Sequence, residues 1–514
     1  MCQKTLIALM LLLCCFASAL PAAEETNKAA AKEPAKDPAK DKPKDGEEKL
    51  VETKHKVTIA GKEISYTARA GTIFLRDAEE KPTAAIFYIA YTRDGVKDLS
   101  ARPVTFSFNG GPGSSSVWMH LGLLGPRRVL LNDDGTAVPP PYRLTDNEFS
   151  LLDETDLVFI DPVSTGYSRA TKPDDARKFH GLREDTASVG EFIRLFVTRN
   201  QRWPSPKFII GESDGTTRAA ALSGELASRQ RMNVNGIMLV STVLNFQTID
   251  FEEGNDLPYV LYLPSYTAIA WFHKKLPADL QQLSLKEVLA QAEAFAAGDY
   301  NTALLRGSSL APAERQKIVT QMARLTGLST NLVDRANLRL RNSQFSAELL
   351  ADEARVLGRY DGRYTGLVRD RLARHAGQDP SFEAVHSAFA STFNHYIRAE
   401  LKYETDQSYE IIAGVGPWNW GEKNGYVNVA ETLANAMTYN PFLKVHVSCG
   451  AYDLATPYFA ARYTFNHLGT DPALTKSITL DDYAAGHMMY LNLPDLKKQK
   501  ADLARFIRAA GASR

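Results

Sequence analysis

Hydrophobic residues recur along this chain in two periods, and the places where the period changes outline its organisation. Between Val57 and Phe108, short runs rich in β-branched and aromatic side chains (57–59, 64–66, 85–89 and 104–108) alternate with turn-like breaks and predict strands. Further on, residues 157–160, 207–210, 237–240 and 443–447 are almost continuously apolar. That is the pattern of strands buried on both faces of a largely parallel sheet. Helical spacing over 186–196 and 216–227 separates several of these runs, and the alternation predicts an α/β layered fold.

From Phe251 to Gly425 the helical period dominates, as in 284–297, 311–325 and 382–401. A helical insertion that caps the strand ends, where such sheets bind ligands, is expected there. The expected division is an α/β core built from residues 51–250 and 426–514, with the cap at 251–425 between them.

The first fifty residues follow neither period. Lys4, an apolar stretch from Leu6 to Leu20 and the small residues Ala17-Ser18-Ala19 have the form of a cleaved export leader, expected over residues 1–23. The stretch is shorter than the roughly 20 residues that span a bilayer. Residues 24–50 repeat Ala, Lys, Pro and Asp, a composition too poor in apolar side chains to offset the entropy of ordering, so a tether is expected. Three of the four cysteines, Cys2, Cys14 and Cys15, lie in or before that leader, which leaves Cys449 and no internal disulfide in the exported chain. Together these features predict a periplasmic or extracellular protein with no stable membrane insertion after leader cleavage.

Of the 514 residues, 44% are hydrophobic and 23% charged, with 60 Lys+Arg against 60 Asp+Glu. A balanced chain has no basic field to attract nucleic acid. No metal-ligand cluster or cofactor motif is apparent, so neither a metal nor an organic cofactor is expected.

Candidate chemistry is concentrated in separate blocks. Gly211-Glu212-Ser213-Asp214-Gly215 follows a predicted strand and opens a predicted helix, the context of a nucleophile elbow. A serine hydroxyl needs an adjacent base oriented by a carboxylate, and in α/β-hydrolases these follow in the order Ser, acid, His. Asp453, beyond the run ending at Val447, and His487, in Ala485-Gly486-His487-Met488, fit that order. Asn109-Gly110-Gly111-Pro112-Gly113 follows another strand, and its glycines would let backbone amides approach a reacting oxygen. A phosphate-binding loop is excluded there because no Gly-Lys-Ser/Thr follows.

Residues 109–116, 211–215, Asp453 and 486–488, with Asp161-Pro162-Val163-Ser164-Thr165-Gly166-Tyr167-Ser168, resemble the serine carboxypeptidase family in order and content. The resemblance implies an α/β-hydrolase fold and removal of C-terminal residues from peptides or proteins through an acyl-enzyme. It implies Ser213 as nucleophile, His487 as general acid/base and Asp453 as its orienting partner. The amides of Gly111 and Asp214 would form the oxyanion hole, and Asn109, Gly110 and Glu212 would hold the substrate's terminal carboxylate. A Glu212 that keeps a proton would share it with that carboxylate, which implies acidic operation.

The chain departs from the family pattern at four positions. Ser107 replaces a usual Trp, Leu123 a second glutamate, Ser114 a cysteine and Asp214 a tyrosine. An ionised Asp214 would oppose oxyanion charge or, facing the substrate, favour a penultimate Lys or Arg. An esterase, amidase or acyltransferase on the same triad, and a non-catalytic binding protein, are the alternative readings.

Overall fold

The computed structural model describes residues 48–368 and 379–511. The expected leader, nearly all of the expected tether, and Cys2, Cys14 and Cys15 lie outside the described residues. Nine principal strands form one sheet: β1 (Leu50–Ile59), β2 (Lys62–Arg76), β3 (Pro82–Arg93), β4 (Val104–Phe108), β5 (Asp156–Ile160), β6 (Lys207–Glu212), β7 (Gly236–Val240), β8 (Lys444–Gly450) and β9 (Ile478–Tyr483). Their spatial order is β1-β2-β3-β5-β4-β6-β7-β8-β9, and a two-residue tenth strand, Arg169–Ala170, pairs with β3. From β5 to β9 the pairings are parallel, whereas β1, β2 and β3 join antiparallel. The short runs seen between residues 57 and 89 are thus parts of a long antiparallel meander, β1 to β3, because half-exposed strands carry polar residues that interrupt the apolar pattern, whereas the run 104–108 is a strand of the parallel part.

The continuous apolar runs behave as their pattern predicts. Every residue of β4, β5, β6 and β7 is buried. Alternate side chains feed opposite faces: Leu157, Phe159, Phe208, Ile210, Met238 and Val240 enter one cluster, and Val158, Ile160, Ile209, Ile237 and Leu239 the other. Helices α1 (Leu182–Arg199) and α2 (Asp214–Ser228) cover the second face with Val189, Phe192, Phe196, Leu222 and Leu226. A third cluster lies apart from both. It joins helices α3 (Leu257–Phe272), α4 (Leu285–Phe295) and α5 (Pro312–Thr326) to Ala451, Tyr452 and Leu454, which follow β8. Helix α6 (Pro380–Ala399), though within the same insertion, packs Phe389, Phe393 and Tyr396 into the first sheet cluster. Helix α7 (Leu493–Gly511) covers that face as well.

Register aligns the strand ends. Phe108 pairs with Gly211, Glu212 with Val240 and Val240 with Ser448, so the loops after β4, β6, β7 and β8 leave the sheet at one level. The opposite ends of β4, β5 and β6 are tied by a buried ion cluster. Asp156 accepts from Arg102 Nε at 2.9 Å and Arg202 Nη1 at 2.5 Å. All three side chains are less than a tenth exposed. Removing one member of such a cluster strands the buried charges that remain. We expect Asp156→Ala to lower unfolding free energy by about 3–5 kcal/mol, read as a lower urea midpoint at unchanged slope.

Candidate active site

The turn at Ser213 is the tightest feature of the sheet's upper edge. β6 ends at Glu212, α2 begins at Asp214, and Ser213 between them adopts φ 60°, ψ −132°. A side-chain-bearing residue held there costs of order 1–3 kcal/mol and persists only where its surroundings impose it. The imposing contacts are specific. Ser213 N donates to Val240 O at 3.0 Å, and Thr216 returns its amide (2.8 Å) and hydroxyl (2.6 Å) to Ser213 O. A Cβ on Gly211 would stand 2.2 Å from Gly215 O, so the strand can turn directly into the helix only with glycine there. A Cβ on Gly110 would stand 2.5 Å from the amide nitrogens of Asp214 and Gly215, so the loop after β4 lies against the start of α2.

Helix α2 therefore points its first amides at this edge, where they have no carbonyl one turn back to bond. Among the described residues no protein acceptor takes the amide of Gly111 or of Asp214. Arg218, one turn into α2, donates to Asn109 O at 2.7 Å and pins the loop to the helix.

Asp453 sits in the loop after β8, and His487 in the loop after β9. His487 Nδ1 is 2.7 Å from Asp453 Oδ2, with both side chains buried. The carboxylate only accepts, so Nδ1 carries the hydrogen and Nε2 keeps its lone pair. The remaining lone pairs of Asp453 are used by the amides of Ala455 (2.7 Å) and Thr456 (3.0 Å) and the Thr456 hydroxyl (2.7 Å). Burial lowers the His487 pKa, but the Asp453 charge and hydrogen bond, joined by Glu212, outweigh it and hold the imidazole above its usual 6.5. The end of β7 links serine and histidine: Val240 O receives the Ser213 amide, and the next residue, Ser241, donates its hydroxyl to His487 O at 2.5 Å.

Glu212, immediately before the serine, is 2% exposed. Tyr490 Oη donates to its two oxygens at 2.8 and 3.1 Å, and Asn109 Nδ2 donates to it as well. Asn109 Oδ1 accepts from Met119 N at 3.1 Å, which fixes the direction of the amide. Desolvation pushes the Glu212 pKa up to about 7 against the opposing pull of His487, Tyr490 and Asn109.

All eight residues singled out in the sequence thus lie along one edge of the sheet or on the loops that meet there. Asp214 is buried at the start of α2, where burial raises its pKa to about 6 while Arg218 pulls it down. Arg218 also bonds Asp185 at 2.5 Å, so one buried guanidinium faces both carboxyls. The block from Asp161 to Ser168 acts as a brace: Asp161 Oδ1 accepts the amide and hydroxyl of Ser116, both at 2.8 Å, fixing the far end of the loop after β4. Of the departures, Leu123 lies in the π-helical turn Met119–Leu124 within the sheet core, and Ser107 Oγ is buried without a partner. Sequence reasoning missed Tyr490, Thr456, Ser241 and Arg218. Only Tyr490 carried a signal, a phenol three residues beyond the candidate histidine. Among the described residues no group of His, Cys, Asp and Glu is placed to hold a metal ion. No described helix is long and apolar enough to cross a membrane.

Because a Cβ at position 211 meets backbone rather than a flexible side chain, Gly211→Ala forces the turn apart. The expected cost is about 3 kcal/mol or more, seen as a lowered melting temperature.

Residues 62–487 match the family model described as serine carboxypeptidase. This is most of the chain, and the chain belongs to the serine carboxypeptidase family. Over 181 residues it is 28% identical to serine carboxypeptidase-like 36 of Arabidopsis thaliana, covering 34% of this chain and 35% of that protein. Over 165 residues it is 36% identical to the pheromone-processing carboxypeptidase KEX1 of Saccharomyces cerevisiae, covering 30% of this chain and 20% of that one. The matched stretches therefore span about a third of these relatives' length or less. The crystal structure of Kex1(delta)p, a prohormone-processing carboxypeptidase from Saccharomyces cerevisiae, superimposes with a TM-score of 0.52 at 17% identity, covering 86% of this chain and 91% of that one. That likeness bears out the α/β-hydrolase fold expected from the motifs.

Proposed function

We propose that this member of the serine carboxypeptidase family hydrolyses C-terminal peptide bonds, with Ser213 as nucleophile, His487 as general acid/base and Asp453 as orienting acid. Ser213 Oγ attacks the last peptide carbonyl while its proton passes to His487 Nε2. The oxyanion that forms is received by the amides of Gly111 and Asp214. His487 then protonates the departing amine, and the reverse sequence with water releases the acyl group. Asn109, Gly110 and Glu212 hold the terminal carboxylate of the substrate.

The observation that carries this reading is Glu212, a buried carboxyl whose pKa is pushed up to about 7, adjoining the nucleophile in sequence. An esterase has no need for a protonated acid beside its serine, whereas a free carboxylate can be bound there only if one of the two carboxyls holds a proton. Ser107 and apolar Leu123, standing where relatives commonly have a tryptophan and a second glutamate, are what favour an esterase or acyltransferase. The protein is exported and meets its peptide substrate in the periplasm or outside the cell. Residues 1–23 act as a cleaved leader and 24–50 as a tether, and the 251–425 insertion caps a core formed by 51–250 and 426–514.

Ser213→Ala should abolish labelling by a fluorophosphonate probe and cut kcat by roughly a million-fold. Persistence of labelling would move the nucleophile elsewhere. The pH dependence follows from Glu212. Below about 7 it is protonated and shares its proton with the substrate, and above that it is anionic and repels the substrate. We therefore expect KM for a peptide with a free C-terminus to rise steeply above pH 7. KM for the same peptide amidated at its C-terminus should stay flat. Parallel profiles for the two peptides would remove Glu212 from recognition, and faster turnover of the amide would favour the esterase or amidase reading.

A further inference from the structure

Two short antiparallel strands in the insertion, Arg355–Leu357 and Thr365–Leu367, are joined by Gly358-Arg359-Tyr360-Asp361-Gly362-Arg363-Tyr364. This hairpin tip bonds to both loops that carry Asp453 and His487. On the acid side, Gly362 N donates to Tyr452 O and Leu454 N donates to Arg359 O, each at 3.0 Å, so the residues flanking Asp453 are both held. On the base side, His487 N donates to Tyr360 O at 2.6 Å, Gly486 N to Asp361 Oδ2 at 3.1 Å, and Arg363 Nη1 reaches Ala484 O at 3.0 Å. The Tyr360 ring lies 5.0 Å from the imidazole, centroid to centroid. Asp361 is itself fixed by Arg363, whose Nε meets Oδ1 at 3.0 Å and whose Nη2 meets Oδ2 at 2.6 Å, in a pair 12% and 15% exposed. The far side of the tip is anchored to α6, where Ser381 Oγ accepts the amides of Tyr360 (3.1 Å) and Asp361 (3.3 Å). A Cβ on Gly486 would fall 2.4 Å from Asp361 Cβ, so the glycine before the histidine is what allows the tip to close.

The sheet supplies this restraint only in part. Beyond its last rung, Gly450 to Tyr483, the two loops share the backbone bonds Ala451 N to Tyr483 O and Tyr452 N to Ala485 O, each at 3.0 Å, and neither bond involves the backbone of Asp453 or His487. We propose that the 358–364 tip is a clasp, with Asp361 and Arg363 as positioning residues that hold Asp453 and His487 at reacting distance. It rests on the reading of those two residues as acid and base. A misplacement of about 1 Å at such a pair costs up to about a hundredfold in rate, so a clasp acts on turnover and leaves substrate binding alone.

The test compares Asp361→Asn, Arg363→Lys and Arg363→Met with the wild-type chain, each normalised to the serines titrated by a fluorophosphonate. Asp361→Asn is expected to lower kcat per titrated site about ten- to a hundredfold with KM within about twofold. Arg363→Lys, which keeps the charge on Asp361, should retain at least about threefold more kcat than Arg363→Met. A substrate-free readout accompanies these, the solvent exchange of the His487 Nδ1 proton followed by NMR in the full chain. It should quicken at least about tenfold in Asp361→Asn and Arg363→Met as the bond to Asp453 loosens. Unchanged kcat per site with unchanged proton exchange overturns the clasp, as does a loss confined to KM or an Arg363→Lys no better than Arg363→Met. If Asp361→Asn does not fold, the Arg363 pair decides. A wild-type chain that cleaves no peptide, yet whose Nδ1 proton responds to these variants, contradicts the proposed reaction and supports the clasp.

Discussion

The approach of the 109–111 loop to the turn at Ser213 is the constraint around which the rest of this molecule is arranged. The two segments leave adjacent strands, and Phe108 at the end of β4 lies opposite Gly211, one residue before the end of β6. Strands pair about 4.8 Å apart, which leaves no room for side chains between a loop and a turn that both fold inward. Glycine at 110 and 211 is the consequence, and a half-buried serine with φ 60° is what remains between them. The backbone strain is offset by the flanking strands, which are buried along their whole length and cannot shift without exposing both faces of the core. Arg218 adds a bond from helix to loop, so elbow and loop move as one body.

Within that frame, two carboxyls close to one imidazole are given different environments. Asp453 receives four hydrogen-bond donations, from His487, two amides and a hydroxyl. Glu212 receives donors only from Asn109 and Tyr490 in an equally dry setting, and its pKa is pushed up. For Glu212, burial disfavours the charged form more than its donors favour it. Glu212 and His487 also feel one another, each stabilising the charge of its neighbour. A proton placed on either changes the affinity of the other for its own.

The parts of the site that could be read from the sequence are those whose geometry is local. A strained strand-to-helix turn needs glycines at fixed offsets, and Gly211, Ser213 and Gly215 carry that requirement in five consecutive residues. The buried strands were visible because a strand covered on both faces is apolar at every position. The meander β1–β3 was visible only in fragments, since one side of it meets solvent and breaks the pattern with Lys, Glu and Thr. Partners that meet only after folding left little trace. Tyr490 stands in Met488-Met489-Tyr490-Leu491, which reads as ordinary core, and Arg218 in a helix reads as a solvated face although it is 2% exposed. The insertion looked like one helical tract, yet α3 to α5 gather over the acid loop while α6 joins the sheet, a division set by packing partners rather than by periodicity.

An acidic residue directly after Ser213 is the feature hardest to reconcile with the proposed oxyanion hole, and its surroundings bear on that. Asp214 and Asp185 face a single buried guanidinium, that of Arg218, and burial raises the pKa of both carboxyls. Two acids and one base in a dry pocket cannot all be charged cheaply, so a proton is taken up as the pH falls. Burial raises the Asp214 pKa to about 6 and that of Glu212 to about 7, so both carboxyls flanking Ser213 take up protons in mildly acidic solution. Residues on either side of the serine are thus tuned in the same direction. The aspartate at 214 keeps the backbone amide at that position and faces Arg218, which stabilises its anion until the pH falls to about 6.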